Sequence, residues 1–175
     1  MNYAEIKTSD IANGPGVRTS LFVSGCTHHC QNCFNEVAWD FKYGKEFTKE
    51  TEDYILETLQ PAYVKGLTLL GGEPLEQVNQ QGLLPFLERV RSTYPQKSIW
   101  CYTGYTFERD VIGKMEKEWP ETKALLDCID VLVDGEFMQE KKNISLQFRG
   151  SENQRIILVQ ESRKRGEVVL WQENE

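Results

Sequence analysis

The stretch Gly25-Cys26-Thr27-His28-His29-Cys30-Gln31-Asn32-Cys33-Phe34-Asn35 places three cysteines in one short loop. Cys26, Cys30 and Cys33 follow the spacing Cys-x3-Cys-x2-Cys. Three thiols this close together cannot all pair as local disulfides, so the spacing indicates a bound metal centre. A four-iron, four-sulfur cluster normally takes four thiolates, and three would leave one iron free to bind another molecule.

Zinc is the main alternative to an iron–sulfur cluster. A structural zinc site takes four protein ligands. Two histidines lie between the first two cysteines, where folding back onto the same ion would be cramped, so the fourth ligand would have to be Cys101 or Cys128. The spacing therefore favours an open-sided cluster, with zinc second and a reduced loop without metal third.

Composition limits the possible classes of protein. The 175 residues suit a single domain, residues 1–175, with one core. A net charge of −7 and a pI near 5.0 argue against a nucleic-acid partner. The N-terminus lacks the pattern of a signal peptide, and no apolar run approaches the roughly 18 residues of a membrane span. Five cysteines without an export signal predict reduced thiols in a cytoplasmic protein.

The cysteine spacing resembles the signature of the radical S-adenosylmethionine enzymes. Residues 13–18 and 22–26 look like the segment that introduces the cluster in activases of glycyl radical enzymes. Residues 148–155 are similar to a segment typical of the subgroup that activates the anaerobic ribonucleoside-triphosphate reductase. The resemblance extends from about residue 11 to about residue 159. It implies a [4Fe-4S] cluster on Cys26, Cys30 and Cys33, with S-adenosyl-L-methionine bound to the open iron.

The resemblance also implies a reaction and its partners. Reductive cleavage of S-adenosylmethionine would generate a glycyl radical on the large subunit of the reductase, with flavodoxin or ferredoxin as electron donor. No catalytic side chain is expected beyond the cluster and the cofactor. The alternatives are an activase of the pyruvate formate-lyase type, a small-molecule radical enzyme such as a deazapurine carboxylate synthase, and a zinc or iron–sulfur module without catalysis.

Hydrophobic patterns predict strands that alternate with helices. The predicted strands are residues 17–23, 67–70, 99–102, 129–133, 156–159 and 168–171. Helices are expected from Thr48 or Thr51 to Pro61, over 83–94 with Pro85 near its start, over 107–115, and in one further short segment. Such alternation predicts a parallel sheet with right-handed crossovers. Because a closed barrel needs about 250 residues, we expect an open partial (β/α) barrel of about five to six mostly parallel strands.

Four sequence features follow directly after predicted strands. They are Cys26, Gly72, Thr103 and Asp134. Because the carboxyl ends of parallel strands meet at one edge of a sheet, these residues should converge on an active site there.

Several of these residues are candidate cofactor contacts. Gly71 and Gly72 allow close backbone approach to a ligand, and Glu73 or a free carbonyl could accept hydrogen bonds from a cationic amino group. An ordinary turn is the alternative, but the segment resembles the Gly-Gly-Glu-Pro motif that binds the amino group of the methionine moiety. Thr103 could line the ribose or adenine. Asp134 leaves an apolar run and should therefore meet a cation, the sulfonium or an ordered donor.

Residues next to the third cysteine are further candidates for the cofactor site. Phe34 could cover the cluster or the adenine, or could be a core aromatic. Asn32 stands where the family often has an aromatic or small residue, which leaves the contacts to adenine open. Cys33 itself belongs to both the metal and the cofactor sets.

The remaining candidates carry charge or sulfur. His28 and His29 are expected at the loop surface or as donors to the cluster sulfurs. Arg149 and Arg155 could bind the cofactor carboxylate or the partner, and residues 163–165 are predicted to form a solvated basic turn. Cys101 and Cys128 are predicted to be buried structural thiols.

Overall fold

The structure is a computed structural model that describes residues 1–30, 33 and 36–172. The strands are β1 Asn2–Asp10, β2 Val17–Val23, β3 Lys45–Glu46, β4 Val64–Gly71, β5 Ser98–Tyr102, β6 Val131–Asp134 and β7 Arg155–Leu158. The α-helices are α1 Lys49–Thr58, α2 Gln77–Thr93, α3 Glu116–Glu118, α4 Pro120–Cys128 and α5 Val159–Arg165. A π-helical segment spans Phe107–Met115, and two 3-10 turns span Glu36–Trp39 and Gln139–Lys141.

The seven strands form one open sheet in the order β3-β1-β2-β4-β5-β6-β7. Strands β2, β4, β5 and β6 are parallel, which confirms the mixed α/β prediction with a parallel centre. Strands β1 and β3 add an antiparallel edge that the sequence did not predict, because β1 alternates weakly and remains partly exposed. No helix of the described chain is long and apolar enough to cross a membrane.

The other edge of the sheet corrects two predictions. Strand β7 is antiparallel to β6. Residues 135–154 contain the 3-10 turn and no crossover helix, so the chain re-enters the sheet from the edge at which β6 ended. The predicted strand at 168–171 is wrong, since the segment contributes only an isolated bridge between Ile157 and Leu170.

Helix boundaries also differ from the sequence prediction. Thr48 and Thr51 act together as a capping box, with Thr48 as the N-cap of α1. Helix α2 begins at Gln77, so Pro85 lies in its interior and the prediction that it sits near the start is wrong. Residues 163–165 are likewise the last turn of α5 and not a loop, with Gly166 as a left-handed cap at φ 69°.

The two faces of the central sheet have different environments. Alternate side chains of β2, β4, β5 and β6 pack against α1, α2, α4 and the π-helical segment in the main hydrophobic core. The opposite face carries a smaller cluster of Trp100, Val131 and Val133, joined by Phe148 and Trp171. Cys101 and Cys128 are buried free thiols, as predicted.

Arg18 is the largest polar side chain buried on this second face, at the amino end of β2. Its guanidinium donates to Thr68 Oγ1 at 2.8 Å, to the carbonyl of Leu67 at 3.0 Å and to the carbonyl of Ser98 at 3.0 Å. Burial lowers the pKa of Arg18 to about 10. We call this group the amino floor: it joins β2, β4 and β5 at the ends where they begin.

Candidate active site

The carboxyl ends of the parallel strands meet at one edge of the sheet, as the sequence predicted. We call this edge the carboxyl rim, formed by the residues that follow β2, β4 and β5 and by the end of β6. The Glu73 N–H donates to the carbonyl of Gly25 at 2.7 Å, which joins the exits of β4 and β2. The Thr103 N–H donates to the carbonyl of Val133 at 2.9 Å, which joins β5 to β6. The predicted convergence of Cys26, Gly72, Thr103 and Asp134 on one edge is therefore confirmed.

Cys26 is the most enclosed of the three loop cysteines. It is 9% exposed, and burial raises the pKa of its thiol to about 11 while the backbone N–H groups of His28 and His29 oppose that rise. His29 adopts a left-handed backbone at φ 50°. Consecutive N–H groups on such a turn form an anion-binding concavity. These N–H groups can therefore stabilise the Cys26 thiolate that forms when a metal displaces the thiol proton.

Cys30 and Cys33 are half-buried in the same loop. Burial raises the pKa of Cys30, with the charge of Glu136 as a further cause, while the N–H of Phe137 opposes the rise. Within residues 1–30, 33 and 36–172, no three cysteine, histidine or acidic side chains stand close enough together to hold a metal ion. The fit to a cluster accordingly rests on the donor set, which is three cysteine thiols in one loop at the rim, none of them in a disulfide.

A four-thiolate zinc site fits this structure poorly. Cys101 is fully buried in β5 among the residues of the main core. Cys128 ends α4, just before β6 begins, and so lies at the opposite edge of the sheet from the cysteine loop. Neither thiol can supply a fourth ligand without moving the core.

Glu73 connects three of the loops that form the rim. Its carboxylate is 1% exposed and accepts four hydrogen bonds. Oε1 accepts from the N–H of Gly104 and lies 2.7 Å from His28 Nε2, while Oε2 accepts from the N–H of Leu75 and the hydroxyl of Thr103. With its carboxylate engaged in this way, Glu73 supports the loops, and direct contact with a cofactor by Glu73 or Thr103 stays a prediction.

His28 lies inside this network and not at the surface. Its side chain is only 10% exposed, its Nδ1 lies 3.2 Å from Glu136, and its ring packs edge-on against Tyr105. Burial alone would lower the pKa of His28, but the hydrogen bond and charge of Glu73, followed by Glu136, raise it above its ordinary value. The imidazole thus ties the cysteine loop to two carboxylates.

Glu76 is a site residue that sequence reasoning missed. Its Oε1 accepts from the hydroxyl of Thr27 at 2.8 Å and from the phenol of Tyr105 at 2.8 Å. The only signal in the sequence was its position three residues after Glu73. It gives the cysteine loop a second anchor next to His28.

Asp134 meets a cation from within the protein. Its carboxylate accepts from Arg155 Nη2 at 2.6 Å and Nε at 3.0 Å, and from the N–H of Phe107 at 2.9 Å. Arg155 also binds Glu108, so neither Asp134 nor Arg155 is unengaged. Their proposed contacts with the cofactor or the partner stay predictions.

The glycines of the rim permit close contact between loops. A Cβ on Gly72 would lie 2.6 Å from the carbonyl oxygen of Gly25 and 2.9 Å from that of Ala38, and one on Gly104 would lie 2.8 Å from the ring of His28. A side chain at Gly72 would thus displace backbone before it reached a ligand. The glycine is required by the packing of the cysteine loop, whatever else it contacts.

A cavity of about 520 Å³ opens at the rim on the sheet face without helices. The residues that line it include Cys33, Gly71, Gly72, Thr103, Lys7, Phe148 and Arg149. Asp134 and His28 instead line a neighbouring polar cavity of about 530 Å³. Asn32 and Phe34, two of the predicted cofactor contacts, lie outside the described residues.

A protein family of known description matches most of the chain. The family described as "4Fe-4S single cluster domain" matches residues 12–157, a span that includes the cysteine loop and the whole rim. The chain is therefore a member of a single-cluster iron–sulfur family.

Curated relatives narrow the class. The chain is 44% identical over 158 residues to the anaerobic ribonucleoside-triphosphate reductase-activating protein of Haemophilus influenzae, covering 89% of this chain and 97% of the relative. It is 42% identical over 156 residues to that of Escherichia coli K12, covering 88% and 96%, and 38% identical over 156 residues to that of phage T4, covering 89% and 93%. The chain belongs to the family of anaerobic ribonucleoside-triphosphate reductase-activating proteins.

Proposed function

We propose that this protein is a radical S-adenosylmethionine enzyme that generates a glycyl radical on the large subunit of an anaerobic ribonucleoside-triphosphate reductase. The observation that carries the proposal is the convergence at one rim of three cysteine thiols and the Gly-Gly-Glu segment, beside a cavity of about 520 Å³. This arrangement occurs in a chain that is 44% identical to a named reductase-activating protein.

Cys26, Cys30 and Cys33 would hold the [4Fe-4S] cluster. When bound, the cluster would supply the electron for reductive cleavage of S-adenosylmethionine, which would allow removal of a hydrogen atom from a glycine of the reductase. The protein's own groups position and enclose these reactants. Glu73 and His28 hold the cysteine loop against the exits of β4 and β5, and backbone groups of Gly71 and Gly72 would receive the methionine moiety.

The fold suits a macromolecular substrate. We infer that the sheet acts as an open partial (β/α) barrel, with its inner side on the face that carries the cavity, in a single domain of residues 1–175. Because the described sheet is open, a glycine-bearing loop of a partner could approach the cavity from its side. An acidic pI near 5.0 supports a protein partner over a nucleic acid. Flavodoxin or ferredoxin in the cytoplasm is the proposed source of electrons.

The deciding experiment mixes anaerobically reconstituted protein, a reductant and S-adenosylmethionine with the reductase large subunit. We expect a glycyl radical doublet in the electron paramagnetic resonance spectrum and one equivalent of 5′-deoxyadenosine. The Cys33→Ala variant should give neither, whereas Cys101→Ala should give both, because Cys101 lies in the core.

Parallel reactions separate the alternatives. A doublet on pyruvate formate-lyase and none on the reductase would refute the partner while leaving the chemistry intact. Consumption of a small molecule without any doublet would refute activase function. Zinc in place of iron after reconstitution would refute the radical mechanism altogether.

A further inference from the structure

Trp39 has a buried polar atom that the proposed function does not explain. In the part of the chain that the structure describes, its indole Nε1–H is shielded from solvent and has no hydrogen-bond acceptor. Buried donors are nearly always paired in folded proteins, and an unpaired one needs a specific explanation.

The surroundings of Trp39 suggest what that explanation is. The residue ends the 3-10 turn Glu36–Trp39, which begins three residues after Cys33. Its carbonyl accepts from the N–H of Cys26 at 3.2 Å, and the preceding carbonyl of Ala38 accepts from the N–H of Gly25. The backbone of Trp39 is thereby fixed to the first cysteine of the loop.

The side chain contacts the same loop. The indole stacks on the imidazole of His29, with ring centroids 4.2 Å apart and an interplanar angle of 17°. His29 is the residue whose left-handed backbone directs its N–H toward Cys26. Trp39 therefore touches the cysteine loop through both its backbone and its ring.

We infer that the indole N–H of Trp39 donates a hydrogen bond to a sulfur of the bound cluster, either a sulfide or a cysteine thiolate. This inference rests on the proposed function, since it requires the [4Fe-4S] cluster. A Trp N–H can only donate a hydrogen bond, and the sulfurs of a cluster accept hydrogen bonds. Hydrogen bonds to cluster sulfurs stabilise the reduced, more negative state and raise the reduction potential. Trp39 would thus help set the potential at which S-adenosylmethionine is cleaved.

A matched pair of variants tests the inference. Trp39→Phe keeps an aromatic ring on His29 but removes the N–H, and Trp119→Phe makes the same change beside α4, away from the loop. Both should take up the same iron as the wild type, because the three cysteines are intact. The midpoint potential, followed by electron paramagnetic resonance during a redox titration, should become more negative in Trp39→Phe and stay unchanged in Trp119→Phe.

A second measurement decides the case even if Trp39→Phe binds iron poorly. Wild-type protein carrying ¹⁵N-labelled indole should show a ¹⁵N coupling to the reduced cluster in pulsed electron paramagnetic resonance. An unchanged potential in a fully loaded Trp39→Phe variant, or no ¹⁵N coupling in the wild type, would overturn the inference while leaving activase function intact. A wild-type protein that takes up no [4Fe-4S] cluster would overturn both.

Discussion

The carboxyl rim and the amino floor both bury charge, yet they satisfy it differently. At the rim, Glu73 accepts four hydrogen bonds, from His28 on one loop, from Thr103 and Gly104 on a second, and from Leu75 on its own loop. At the floor, Arg18 donates to carbonyls and hydroxyls of β4 and β5, strands that the sheet already holds together. The rim charge thus helps to align loops, together with Glu76, whereas the floor charge completes a packed sheet. Disruption of the rim should impair the chemistry, and disruption of the floor should impair folding.

The largest expected effect is the difference between cysteines of the rim and cysteines of the core. Cys26→Ala, Cys30→Ala or Cys33→Ala should abolish the cluster, as measured by iron content and electron paramagnetic resonance of the reduced protein. Cys101→Ala and Cys128→Ala are the controls and should retain it. Loss of the cluster in either control would indicate a centre with four thiolate ligands, and the prediction of an iron without a protein ligand would then be wrong.

The next largest effect is at the floor. Arg18→Leu should lower the free energy of unfolding by at least about 3 kcal/mol, because each buried acceptor left without a donor costs roughly 1–3 kcal/mol. Urea titration of the apoprotein measures this change in the free energy of unfolding. Arg18→Lys should recover only part of the loss, since an ammonium cannot reproduce the planar set of donors. A stable Arg18→Leu variant would show that the floor does not depend on this charge.

Glu73→Gln should lower the free energy of unfolding less than Arg18→Leu does, but should weaken ligand binding more. Glu73→Gln replaces one acceptor oxygen by an amide NH₂, which is a donor and would face the donors that the carboxylate now binds. Leaving these buried donors without an acceptor costs about 1–3 kcal/mol. Because the cysteines are untouched, we expect near-normal iron content but weaker S-adenosylmethionine binding by calorimetry. The matched variant Thr103→Val removes only one of the four donors and should have a milder effect on both. Equal losses of binding from Glu73→Gln and Arg18→Lys would erase the distinction between rim and floor.

The smallest predicted effect is at the exposed edge of the rim. Arg155 holds the pKa of Glu108 below its ordinary value. An acid with a lowered pKa in the folded state adds stability above its unfolded pKa and loses it as the pH falls through the folded pKa. At pH 7, Glu108→Gln should therefore cost less than about 1 kcal/mol, in keeping with exposed ion pairs. The difference from wild type should vanish in acid, and a difference that grew in acid would contradict this assignment.

Local patterns in the sequence were enough for several parts of the fold and site. Residues 17–23 form β2 with the predicted boundaries, because an apolar run after a glycine-rich turn has few alternatives. The convergence at the rim followed from the same logic, since parallel strands place their ends together. Cys101 and Cys128 were predicted as buried because one falls in a predicted strand and the other near a helix end, where structural thiols are usually buried.

Predictions failed where a residue's role depends on what approaches it from elsewhere in the chain. The direction of β7 depends on the path of residues 135–154, which carries no helical period to reveal it. Pro85 was misplaced because tertiary packing extends α2 toward its N-terminus beyond the apolar repeat.

The sequence by itself determined where to expect the chemistry of this protein, because a cysteine spacing and a strand end are local features that indicate a metal centre and an edge of the sheet. Only the tertiary structure decided which residues support that chemistry. Glu73 and Gly72 were read from the sequence as ligand contacts, but their neighbours in the fold are His28, Thr103 and the backbone of Gly25. Trp39 carried no sequence signal, and the only one for Glu76 was its position three residues after Glu73. Hydrogen-bond partners and buried surroundings are set by packing between distant segments, and that is information a local pattern does not contain.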